Sequence, residues 1–95
     1  MAKDENGDSG DLQLAQSFGR CVSRHREAAN LSASELARKA GMSRHYIWRV
    51  ENGQTMANLR TIGRLSRALD VPIHSLCEGV DTSGISLTNR QYDKD

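Results

Sequence analysis

The chain has 95 residues, 13 Lys plus Arg against 12 Asp plus Glu, and a formal net charge of +1, which fits one small domain and excludes a multi-domain enzyme. Hydrophobic residues make up 37% and aromatic residues only 4%, so the core must be built from Leu, Ile, Val, Ala and Met rather than from the β-branched and aromatic residues of a sandwich or barrel. Pro72 is the single proline, leaving the long middle of the chain free to be helical.

Residues 1–11 carry four acids against one Lys, with no apolar residue beyond Met1 and Ala2, and are expected to form a disordered acidic tail. A first helix is expected from about Leu12 to Ala29, with Leu14, Phe18, Val22 and His25 at helical spacing. Ser32 opens S-A-S-E, a capping box in which the Ser32 hydroxyl and the Glu35 carboxylate each take a backbone amide of the other. The second helix therefore starts there, buries Leu36, Ala37 and Ala40, and stops at Gly41, a residue suited to the left-handed conformation past a helix end. Ser43 caps a third helix that buries Ile47 and Val50 and breaks at Asn52-Gly53. Asn58 caps a fourth, with Leu59, Ile62, Leu65, Ser66 and Leu69 along one side. Pro72 begins a short fifth that buries Ile73, Leu76 and Cys77.

The organisation expected is thus all-α: a compact five-helix domain over 12–78 between flexible tails at 1–11 and 79–95. Ile85 to Thr88 is a candidate strand, too short to form a sheet alone. The charge is unevenly spread. Residues 12–77 hold 10 Lys plus Arg and 4 Asp plus Glu, a net of +6, and the flanks return the total to +1.

No run approaches the roughly 18 apolar residues a membrane span needs, and no leader pattern opens the chain. Cys21 and Cys77 lack the CxxC spacing of a zinc or redox site and are read as reduced thiols in a cytoplasmic protein, a single disulfide between them being the alternative. The three histidines have no HxxxH spacing. No metal, cofactor or membrane partner is expected, and nothing points to a nucleophile elbow, a phosphate loop or a catalytic carboxylate pair.

Two helices joined by a few residues around Gly41 read as a helix-turn-helix, whose second helix can lie in a DNA major groove. With Ile47 and Val50 turned inward, the third helix turns Arg44, His45, Trp48 and Arg49 outward. Arg can donate two hydrogen bonds to guanine O6 and N7, His can donate or accept at a base edge, and Trp offers a flat apolar surface to a thymine methyl or a sugar. Ser43 and the first-turn amides suit a phosphate.

The stretch LSASELARKAGMSRHYIWRVENG resembles the helix-turn-helix of the lambda-repressor, Cro and XRE family, and LRTIGRLSRALDVPIHSL looks like that family's fourth and fifth helices. The resemblance covers about 14–78. It implies base-reading positions at Arg44, His45 and Arg49, with Trp48 beside them at the groove edge. It also implies phosphate contacts at Ser43, Asn52, Thr55 and Arg60, and an ion pair between Arg26 and Glu51. Ala33 replaces a common phosphate-contacting Gln, for which Ser34 is a partial substitute. His25, Ala57 and Gly63 also depart from the pattern, Gly63 interrupting the fourth helix.

The function implied is a transcriptional regulator that binds double-stranded operator DNA as a homodimer on an inverted repeat. Ile73, Leu76 and Cys77 are the expected dimer contacts, with Ile85 to Thr88 as an added arm. An antitoxin or a restriction-modification controller would use the same domain. A protein-interaction module that silences another regulator, anchored by Trp48, is the reading from a different class.

Overall fold

The computed structural model describes residues 9–88, and residues 1–8 and 89–95, with the expected disorder of both ends, lie outside it. Five helices follow one another: α1 Ser9–Ala28, α2 Ala33–Ala40, α3 Arg44–Glu51, α4 Leu59–Leu69 and α5 Ile73–Leu76. The architecture is the expected compact all-helical one. Its first helix starts at Ser9, three residues before Leu12, so Asp11 belongs to the first turn of α1, where an acid suits the positive end of the helix dipole.

Several helix boundaries have a local chemical cause. The Ser32 hydroxyl accepts from the Glu35 amide at 3.0 Å while the Glu35 carboxylate accepts from the Ser32 amide at 2.7 Å. Asn58 caps α4 through the Thr61 amide at 2.8 Å. All four connections between helices turn on a left-handed residue: Asn30 (φ 59), Gly41 (φ 72), Gly53 (φ 68) and Asp70 (φ 59). Asn and Asp reach that region at lower cost than other residues with a Cβ. Behind Gly41 the Met42 amide donates back to the Ala37 carbonyl at 2.8 Å, closing the end of α2 as a Schellman-type cap. Pro72 does not enter the fifth helix. It is the extended residue just before it (φ −70, ψ 156).

Phe18 and Val22 of α1, Leu36, Ala37 and Ala40 of α2, Ile47 and Val50 of α3, Leu65 and Leu69 of α4 and Leu76 of α5 form one buried cluster. Two expectations on the apolar face fail. Leu59 is 74% exposed and Ile73 43% exposed, because both stand at the first position of their helix, beyond the end of the packed stripe. Gly63 does not interrupt α4, which runs unbroken from Leu59 to Leu69.

Residues 78–85 return along α1 instead of leaving as a tail. The Cys21 thiol donates to the Glu78 carbonyl (3.2 Å), the Asp81 amide donates to the Ser17 hydroxyl (2.8 Å), and the Gln13 amide donates to the Asp81 carboxylate (2.7 Å). The Asp81 carboxyl is held below its usual range, first by the Ser83 hydroxyl and then by the Ser83 amide. Gly10 and Gly84 abut so closely that a Cβ on Gly10 would stand 2.1 Å from the Gly84 carbonyl oxygen. Among the described residues there is no strand, and Ile85 to Thr88 is irregular.

Candidate nucleic-acid interface

The orientation of α3 follows from its two ends and its buried side. Ile47 and Val50 are 0% and 1% exposed, which fixes the rotation of the helix. At the start, the Ser43 hydroxyl accepts from the Tyr46 amide at 3.0 Å. At the finish, the Asn52 side chain donates to the Trp48 carbonyl at 2.8 Å. The last turn is clamped to α1 by Arg26, whose Nε and Nη2 reach the two carboxylate oxygens of Glu51 at 2.7 and 3.1 Å. Arg26 Nη1 also donates to the Leu31 carbonyl at 2.9 Å. The hydrogen bonds that Arg26 donates to Glu51, and the negative charge of that carboxylate, raise the Arg26 pKa further.

Two residues that sequence reasoning passed over complete this frame. Gly19 on α1 lets the end of α3 approach: a Cβ there would stand 2.4 Å from the Val50 carbonyl oxygen and 2.6 Å from that of Glu51. A glycine inside a helical pattern is the signal that could have found it. Arg64 of α4 donates through Nε to the Ala40 carbonyl (3.1 Å) and through Nη2 to the Gly41 carbonyl (3.3 Å). It thereby satisfies the exposed end of α2 and holds the helix-turn-helix corner. Its partners are backbone atoms, so no residue pattern announces it.

On the outer face, Arg44, His45 and Trp48 are exposed, Trp48 by 48%. The His45 and Trp48 rings stack, with centroids 6.0 Å apart and planes 12° from parallel. Together with Arg44 and Ala33 at the start of α2 they line a slot of about 230 Å³. Arg49 is half-buried and its guanidinium donates to the Gln54 carbonyl at 3.3 Å, so it braces the loop after α3 as well as flanking the outer face. Asn52 and Thr55 line a second groove with Asp11 and Leu12, so an acidic residue shares a groove with two of the expected phosphate contacts. Ser34 and Arg60 are exposed at the first turns of α2 and α4.

Of the expected dimer contacts, Leu76 needs correction. It is 0% exposed within the domain's own core and has no surface to offer a second copy. Ile73 is exposed and Cys77 half-buried. His25 is half-buried, with Nε2 3.2 Å from the Ser75 carbonyl oxygen. Cys21 and Cys77 are unbridged. Among the described residues no group of His, Cys, Asp and Glu could hold a metal ion, and no helix is long and apolar enough to cross a membrane.

The sequence profile described as a helix-turn-helix domain matches residues 17–83. The chain is 34% identical over 62 residues to the HTH-type transcriptional regulator SinR of Bacillus subtilis, covering 64% of this chain and 56% of that one. It is 34% identical over 65 residues to SinR of Bacillus licheniformis, covering 67% and 59%. It thus spans less than two thirds of either regulator. Among solved structures, the restriction-modification controller protein C.AhdI of Aeromonas hydrophila superposes with a TM-score of 0.63 at 36% identity, covering 66% of this chain and 94% of that one. The clp gene regulator ClgR of C. glutamicum superposes with a TM-score of 0.68 over 79% of this chain and 96% of its own, at 17% identity, a likeness of fold alone. The chain therefore belongs to the helix-turn-helix domain family, in the lambda-repressor, Cro and XRE group that its motif resembles.

Proposed function

We propose that the chain is a transcriptional regulator that binds operator DNA as a homodimer, each α3 entering a major groove about one helical turn from its twin. The observation that carries this reading is the exposed trio Arg44, His45 and Trp48 on a helix whose rotation is fixed by Ile47 and Val50. Arg44 and His45, with Arg49 at the flank, choose sequence through base edges. Ser43, Ser34, Asn52, Thr55 and Arg60 supply orientation and affinity through phosphates. Ile73 and Cys77 form the contact between copies, and the operator is an inverted repeat.

The 36% identity to C.AhdI across nearly all of that protein favours one specific version, a controller of a restriction-modification system. The test is selection of bound sequences from random duplexes, with the mass of the complex measured alongside and the shift repeated at two salt concentrations. An inverted repeat, a two-copy complex and a steep loss of affinity with salt are expected. No shift at low salt would sink the reading and leave the protein-interaction module in its place.

A further inference from the structure

The slot between the start of α2 and the first turns of α3 has an apolar side, the Ala33 methyl, an aromatic side formed by the stacked His45 and Trp48 rings, and one cation, Arg44. It exists because Ala33 is small and because the stack holds the indole in place. Trp48 remains 48% exposed, an unusually large apolar surface to leave in water on a charged helix. Resting on the DNA-binding reading above, we infer that this slot reads a thymine, taking its 5-methyl group against Ala33 and Trp48 while Arg44 donates to the neighbouring guanine.

Size and polarity select the occupant. In the major groove the apolar projection of an unmodified base pair is the thymine methyl, which sits beside the O4 acceptor. Arg and the indole N–H donate and cannot accept, so thymine O4 meets groups of matching polarity. A 5-methylcytosine brings the same methyl, but with an N4 amino donor beside it that Arg44 and Trp48 cannot satisfy. Of the three polar side chains on the rim only His45 has a nitrogen that can accept, so the rim as a whole favours the base that presents O4 over the one that presents an amino donor. A rigid aromatic pair also loses little rotamer freedom on contact, as suits a residue reading shape more than hydrogen bonds.

The test uses the selected operator, with each thymine replaced in turn by deoxyuridine and affinity read by fluorescence anisotropy. Losing one buried methyl should weaken binding about fourfold at one position per half-site. Trp48→Ala should weaken binding to the thymine duplex and abolish the difference between thymine and uracil at that position. Ala33→Leu, which fills the slot from the α2 side, should abolish it too. Placing 5-methylcytosine at that position should not restore thymine's affinity. Uracil without effect at every position, a uracil penalty that persists in Trp48→Ala, or equal binding of 5-methylcytosine would each overturn the inference while leaving operator binding intact. Failure of the wild type to select any sequence would overturn the underlying reading, and shows before the uracil scan begins.

Discussion

Arg26 and Glu51 meet in a two-point contact, guanidinium against carboxylate at 2.7 and 3.1 Å, with side chains 17% and 10% exposed. The two residues belong to α1 and to the last turn of α3, so the pair fixes where the recognition helix ends relative to the body of the domain. Truncating Glu51 would leave a largely desolvated guanidinium with only the Leu31 carbonyl. Glu51→Ala should cost about 2–3 kcal/mol of unfolding free energy, at the low end for buried pairs because some solvent reaches it. Urea denaturation monitored by Trp48 fluorescence and by circular dichroism would check it.

Arg44 and Arg60 should respond differently to removal. Arg44→Ala is expected to lose about 1–3 kcal/mol on the selected operator and to relax preference at one base pair. Arg60→Ala is expected to weaken binding on all sequences alike and to lower the slope of log affinity against log salt by about 1. Equal losses for Arg44→Ala on every sequence would make it a phosphate contact instead.

Two helical glycines make a matched pair. Gly19→Ala would push a methyl into the Val50 and Glu51 carbonyls and should destabilise the domain by about 1–3 kcal/mol through overpacking. A Cβ on Gly63 meets nothing within 4 Å, so Gly63→Ala should stabilise by about 0.5–1 kcal/mol through helix propensity alone. Thermal melts of the two variants should move in opposite directions.

Glu35 carries a pH dependence. Its carboxyl is held below the ordinary glutamate range, first by the Ser32 amide and then by the Ser32 hydroxyl. Because the folded-state pKa is depressed, the contribution of Glu35 to stability is fully present above the unfolded-state value. It is lost as pH falls through the folded-state value. Glu35→Gln keeps an acceptor for the capping box without the charge. The wild type's margin over this variant, followed by thermal unfolding, should be constant at neutral pH and shrink with acidification.

Asp11 shares a groove with Asn52 and Thr55, and a carboxylate there repels a phosphate. Asp11→Asn should tighten binding to unrelated DNA at low salt, the gain fading as salt rises. Trimming residues 1–8, which hold one Lys against three acids, should act in the same direction without touching α1. Unchanged affinity in both would show that acid at this end of the domain does not screen the basic surface.

What the sequence made legible was local or pairwise. The Ser32 and Glu35 box, the Gly41 stop and the Ser43 and Asn58 caps are short-range hydrogen-bond patterns that side-chain chemistry specifies almost alone. The Arg26 and Glu51 pair came from resemblance, since nothing in a sequence brings positions 25 apart together. Leu59 and Ile73 were misread for one reason. Spacing tells which side of a helix is apolar, but not how far along its axis the packing reaches or whether a neighbouring element or a second chain covers it. The return of residues 78–85 was invisible because its partners on α1 are a thiol, a hydroxyl, an amide and a glycine, none of which reads as a contact surface. The slot at Ala33 was likewise hidden, being defined by a side chain too small to fill it.

The abutment of Gly10 against Gly84 has a mechanical side. Backbone enters the described domain and leaves it at nearly one point, so tension between the two ends does not pull across the hydrophobic core. It bears on the few contacts between residues 78–84 and α1, a set of hydrogen bonds such as Gln13 to Asp81 and Asp81 to Ser17. That seam should peel open under load while the corner held by Arg64 and the clamp of Arg26 on Glu51 stay whole, making the outermost layer of the fold its mechanical fuse.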